Sequence, residues 1–253
     1  MTYCEGFLFI TKGAMGGCEG DGGLYKIDPD TDSSSRLKGD FSNVTTMTTC
    51  DGSLYVTNGR MFGCTGDGGL YKINPESGKI SRIGTFDCSN VTTMTSSLHF
   101  LRSKARDPQF AETGKNPRVV PAYKHNLYMT SGVMGGCKGK GALLRVNKDT
   151  GQYEILNRQA KNATVMCSNN GYLFAIAGHM GGCNGSGIRN HIAVYQDRRE
   201  FTAQRANDEW DFDSPAKWIN ATIMVGGREG VFVVTGKMHG NIKGSDTLFY
   251  IAR

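Results

Sequence analysis

Five methionines, Met15, Met61, Met134, Met180 and Met238, stand in closely similar surroundings and are separated by 46, 73, 46 and 58 residues. A second marker, Asn-Val/Ala-Thr, recurs at Asn43, Asn90, Asn162 and Asn220 with separations of 47, 72 and 58. Two independent markers with matching spacing define a repeated unit of about 46 residues that is stretched by insertions. A unit of this length cannot bury a face by itself. Strand-rich units of 40–50 residues solve that problem by stacking as propeller blades rather than as helical solenoids.

The local patterns are those of strands. After Asn43 the run VTTMT is small and β-branched, as suits a crowded innermost strand A. Asp51-Gly52 is a hairpin signal leading into strand B, SLYVT. Strand C, LYKIN, ends at Pro75-Glu76-Ser77-Gly78, and a more polar strand D follows near KISRIG. The excess of 35 glycines over 6 prolines fits a chain with many tight turns. The expectation is an all-β fold, a single β-propeller domain over residues 1–253 with five four-stranded blades. The blades run roughly over 1–42, 43–89, 90–161, 162–219 and 220–253, with insertions at 97–122 and 204–218. Met1 aligns with Met47 and Met94, which starts the chain inside a strand A, and TLFYIAR stops after a strand C.

LYKINPESG and LYKIDPDTD resemble the strand–turn element of many propellers, and LYVTNG resembles the YVTN repeat. In repeat number and length the chain is also similar to the tachylectin-type five-bladed lectins, although their tryptophan-rich motif is absent. That resemblance implies carbohydrate binding without assigning individual sugar-binding residues.

Several classes are disfavoured by composition and pattern. No run is long and apolar enough for a membrane helix. The net charge of +6 is dispersed, and the basic cluster Arg102, Lys104, Arg106 is diluted by Asp107, so nucleic acid is not an expected partner. MTYCEGFLFITKGAMGG has no basic leader, so no signal peptide is expected. If the eight cysteines are free thiols, the cytoplasm is the expected compartment.

The most regular segment is the B–C loop, G-x-M-G-G-C-x-G-x-G, in which Phe62 and His239 replace the first of the paired glycines in two copies. A plain hairpin needs only two residues, and glycine lets backbone N–H groups approach a ligand closely. A ring of such loops implies repeated weak sites for glycans or another small ligand. The candidate ligand-binding residues are Met15, Gly17, Cys18, Met61, Gly63, Cys64, Met134, Gly136, Cys137, Met180, Gly182, Cys183 and Met238. Trp210 and Trp218 join them, because tryptophan beside Asp211 and Asp213 is suited to stacking on sugars. The competing reading makes the Met and Cys side chains a small core under each loop, and the tryptophans a filling between blades.

Met-x-x-Cys offers soft sulfur, yet one loop supplies only two ligands and His179 and His239 occur in only two copies; no metal or other cofactor is expected. Cys4, Cys50 and Cys167 are placed at A–B turns, a strand length from the loop cysteines and beyond disulfide reach, so free thiols are favoured. Cys88 alone stands near a neighbouring loop cysteine. Asn-x-Thr reads either as a glycosylation sequon or as a turn residue entering strand A. For an enzyme the chain offers no persistent acid: Asp21 and Asp67 become Lys140 and Ser186, and Asp208, Glu209, Asp211 and Asp213 crowd into one loop. A non-catalytic multivalent lectin is the expected function. The alternatives are a protein-interaction scaffold acting through residues 97–122 and, less favoured, a propeller hydrolase.

Overall fold

The computed structural model describes residues 1–100, 123–169, 172–187, 189–193, 218–227, 230–237 and 247–252. Within them the chain forms antiparallel sheets joined by turns, with no helix longer than a three-residue 3-10 turn. The first sheet contains β1 (Thr2–Cys4), β2 (Phe7–Lys12), β3 (Gly23–Ile27) and β4 (Ser34–Leu37). The second contains β5 (Val44–Cys50), β6 (Ser53–Asn58), β7 (Leu70–Ile73) and β8 (Ile80–Arg82). The third contains β9 (Val91–Phe100), β10 (Tyr123–Ser131), β11 (Ala142–Asn147) and β12 (Tyr153–Asn157). The fourth has β13 (Ala163–Asn169), β14 (Tyr172–Ala177) and β15 (Arg189–Ala193); the fifth has β16 (Ala221–Gly226), β17 (Gly230–Thr235) and β18 (Thr247–Ala252).

Every sheet is a meander in chain order, and the first strands β1, β5, β9, β13 and β16 lie side by side in that order. This is a propeller-like arrangement. Among the described residues the first three sheets have the four strands expected of each repeat, and the fourth and fifth have three, the fifth ending after its third strand as the sequence implied. The insertion expected at 97–122 begins differently. Strand β9 continues to Phe100, and β10 starts at Tyr123 in register with it, so the A–B hairpin is itself lengthened.

Alternation along the strands explains the packing. In β6, Leu54 and Val56 pack with Phe9 and Leu24 of the first sheet, whereas Tyr55 packs with Val91, Leu127 and Met129 of the third. Successive side chains point to opposite faces of a strand. A sheet enclosed on both faces therefore reads as a nearly continuous apolar run rather than as an alternation. Tyr128, Leu143, Met166 and Leu173 repeat the arrangement between the third and fourth sheets, and Ile176, Met224, Val231 and Val233 between the fourth and fifth.

The Asn-x-Thr marker has a structural explanation. In the second sheet Val44 pairs with Asn58 and Thr46 with Thr57, which leaves Thr45 as the extra residue of a β-bulge. Thr92, Thr164 and Thr222 occupy the same bulge in the next three sheets. The bulged hydroxyls are buried and satisfied internally. Thr45 bonds Thr57 at 3.0 Å, Thr92 bonds Thr130 at 2.9 Å, and Thr164 and Thr222 donate to the carbonyls of Ile176 and Val234.

Candidate functional site

The bulge also fixes the glycine-rich loop. The Asn43 side-chain oxygen accepts from the Thr65 amide at 2.8 Å, and Asn90 accepts from Lys138 at 2.8 Å; in the fourth sheet the Asn162 amide donates to the Asn184 carbonyl. The start of each loop is held from the other side by the next connection: Ala14, Arg60, Val133 and His179 donate their amides to Ser42, Ser89, Lys161 and Ile219. Both sets of loops therefore lie on one face, as the sequence implied.

Within the loop, Met15, Met134 and Met180 each open a 3-10 turn, closed by the Cys amide donating back to the Met carbonyl; Cys64 does the same to Met61. The loops then join one another. The Gly16 amide donates to the Phe62 carbonyl at 3.1 Å, and the Phe62 amide donates to the Gly135 carbonyl at 2.7 Å. A Cβ on Gly135 would lie 2.4 Å from Cγ of Met61, and one on Gly181 would lie 2.7 Å from Cγ of Met134. Met61 and Met134 thus occupy the space left by the first paired glycine of the loop that follows each. Phe62, the residue that breaks the glycine pattern, lays its ring over both Gly135 and Gly181.

Met61, Cys64, Met134, Cys137, Met180 and Cys183 are accordingly buried at 2–5% exposure, while Met15 is half-buried and Cys18 exposed. Burial pushes the Cys64 thiol up, and those of Cys137 and Cys183 to about 11. These sulfurs form a core beneath the loops. All eight cysteines are free, and Cys167 lies within β13 opposite Phe174 rather than in a turn. The part of each loop that faces outward is the second glycine. Gly17, Gly63, Gly136 and Gly182 share φ values of 81–87°, and a Cβ there would meet nothing within 4 Å. Trp218 is buried, with its ring edge-on to Phe249 at 5.4 Å. Met238, Trp210, His239, the acids of 208–213 and residues 101–122 lie outside the described residues.

Asp21 and Asp67 flank the loops of the first two sheets. Each carboxylate accepts from a tyrosine hydroxyl (Tyr25, Tyr71) and from the amide of Gly23 or Gly69, and Arg82 lies 3.2 Å from Asp67. The tyrosine hydrogen bond is the leading cause that holds both carboxyls below the usual range. They are built as acceptors, not as proton donors.

The opposite face carries a cluster the repeat pattern does not contain. Asp51, in the left-handed turn after β5, contacts Nδ1 of His125 on β10 through one carboxylate oxygen; the other lies 3.3 Å from Nζ of Lys148. Lys148 also bonds Asp149 at 2.9 Å, and Lys72 approaches Asp149 at 3.9 Å. Cys50, buried directly behind Asp51, has its thiol pushed up to about 12, first by burial and then by the Asp51 charge. Burial opposes the charge on Lys148, but its bonds to Asp149 and Asp51 prevail and raise its pKa. Donor atoms of Cys50, Asp51 and His125 all lie within 4.8 Å of one another. In the same buried layer the Tyr55 hydroxyl has no hydrogen-bond partner. Sequence reasoning missed this cluster because His125 follows the insertion, at the position Gly52 holds in the second sheet. The adjacent Cys50-Asp51 pair was the only available signal.

No protein family matches the chain, and no curated protein matches it. Among solved structures it is similar to the computationally designed Ika4 protein, with 13% identity over 85% of this chain and 96% of that one and a TM-score of 0.44. The computationally designed Ika8 protein is 12% identical over 98% of this chain and 57% of its own, with a TM-score of 0.48. PorZ, a surface component of the type-IX secretion system of Porphyromonas gingivalis, is 9% identical over 99% of this chain and 25% of its own, with a TM-score of 0.49.

Proposed function

We propose that this protein is a non-catalytic multivalent binding protein whose ligand face is the ring of glycine-rich loops. One observation carries the reading: Gly17, Gly63, Gly136 and Gly182 present the same backbone shape to open space, in four copies on one face. The contact surface is therefore backbone and glycine, with the methionines and cysteines as its support. Such sites are individually weak and gain from acting together. Carbohydrate is the ligand class we assign, since backbone N–H and C=O groups left accessible at glycine suit hydroxyl-rich ligands. On this reading the five sheets act as the blades of one ring, which a small-angle scattering profile of a closed disc would support and that of an open arc would refute. A glycan array probed with the purified chain tests the ligand. Binding that free sugar competes away, and that Gly63→Ala weakens without loss of fold, supports the proposal; an array without competable binding removes it.

A second reading is favoured by a different surface. Ile223, Val225, Phe232, Leu248 and Tyr250 line one face of the fifth sheet at 41–65% exposure. Exposed apolar patches of this kind mark protein contacts. Retention of a protein partner that Phe232→Asp abolishes, together with a negative glycan array, would favour this scaffold function.

A further inference from the structure

We propose that Cys50, Asp51 and His125 form a site for a zinc-class divalent metal ion, bridging the second and third sheets on the face opposite the glycine-rich loops. Donor atoms from the three residues already lie within 4.8 Å of one another, without any rearrangement of strands. A thiolate, an imidazole and a carboxylate together match zinc, which accepts sulfur, nitrogen and oxygen in one tetrahedral shell. Three protein ligands leave the fourth position to water.

The surroundings fit this assignment. A metal-binding carboxylate ordinarily has its second oxygen held by another group, and Lys148 lies 3.3 Å from the second oxygen of Asp51. Asp51 and Asp149 are balanced by Lys148 and Lys72 around the cluster. Binding releases the thiol proton and any proton on the coordinating His125 nitrogen to solvent, as the metal–sulfur and metal–nitrogen bonds form.

The cluster also departs from the repeat at the points where a metal would need it to. Cys4-Glu5 in the first sheet repeats Cys50-Asp51, but the residue facing Glu5 from the next sheet is Gly52, whose Cβ position lies 3.1 Å from the Glu5 carboxylate. His125 stands where that glycine stands. Lys148 likewise replaces Pro75 of the preceding C–D turn. A structural repeat has no need of these exchanges, and a ligand set does.

The test is cobalt(II) titration of the full chain after removal of metals with a chelator, followed by displacement with zinc. The expected result is one equivalent bound per chain, with a sulfur-to-cobalt charge-transfer band that Cys50→Ser removes. His125→Gln and Asp51→Asn should each weaken binding at least about tenfold, while Cys64→Ser, at the other face, should leave band and stoichiometry unchanged. Circular dichroism establishes that the variants remain folded. Should Cys50→Ser unfold, His125→Gln at the half-exposed rim decides the question alone. Absence of a cobalt band, a band that survives Cys50→Ser, or affinity indifferent to His125→Gln would overturn the assignment.

Discussion

Replacing Gly182 and Gly181 by alanine, one at a time, separates two costs that a glycine-rich loop normally combines. Both residues have left-handed backbone, with φ of 84° and 63°. An alanine held there loses about 1–2 kcal/mol from the clash between its Cβ and the carbonyl oxygen. At Gly182 nothing lies within 4 Å of the added carbon, so that backbone cost is the whole effect. At Gly181 the carbon would stand 2.7 Å from Met134 Cγ, 2.7 Å from Phe62 Cζ and 2.9 Å from the Gly135 nitrogen. The side chains can shift but the backbone nitrogen cannot, and overpacking of this kind adds about 1–3 kcal/mol. Gly181→Ala should therefore fall below Gly182→Ala by about 1–3 kcal/mol. For a chain of this size that difference corresponds to roughly 2–12 °C in melting temperature. Urea unfolding of the two variants beside the parent measures it, with comparable m-values confirming that stability alone has changed. Equal midpoints, or a greater loss at Gly182, would show that the methionine of one loop does not fill the glycine of the next.

Further expectations concern side chains below the surface. Thr130→Val should cost about 1–3 kcal/mol, because the buried Thr93 hydroxyl bonds that of Thr130 at 2.8 Å and would be left unpaired; a neutral result in urea would contradict the buried threonine network. Of eight free thiols only Cys18 is exposed, so brief alkylation of the native protein followed by intact mass should add one label, and unfolding should release the rest. Rapid labelling of several thiols would mean that the loop core is open. Burial raises Cys88 and Cys167 to about 12, above the value near 8.5 of an unfolded thiol. Their neutral forms favour the folded state, so this contribution is complete below about pH 8.5 and declines as pH rises toward 12. Urea midpoints across that range should fall, and fall less steeply in Cys88→Ala with Cys167→Ala; parallel curves would count against it.

What could be read in the sequence was whatever the repeat enforces. Met61 and Asn43 recur because their counterparts do similar work in the other described copies, and the turn signals bounding SLYVT and LYKIN placed β6 and β7 almost to the residue. The Asn-x-Thr marker was visible, but its work was not. A bulge such as that at Thr45 is a property of two strands paired together, and Asn90 reaches an amide 48 residues away. The loop sulfurs illustrate a different limit. Met-Gly-Gly-Cys has the same spelling whether its side chains point at a ligand or under the backbone, and only the neighbouring loop decides. His125 was illegible for the opposite reason, since it follows the lengthened β9–β10 hairpin where alignment of the copies breaks down.

The interlocking of the loops has a consequence for how such a protein can change over generations. Because the space occupied by Met61 is the space vacated by Gly135, and that of Met134 is vacated by Gly181, these three loops cannot mutate freely while their neighbours stand still. A larger residue in one copy is tolerated only where the next copy has already made room. Phe62 has that room, its ring lying across two glycines of later copies. Uniformity among the loops is therefore inherited as a linked set, and a lineage that departs from it must do so by matched pairs of substitutions rather than one at a time.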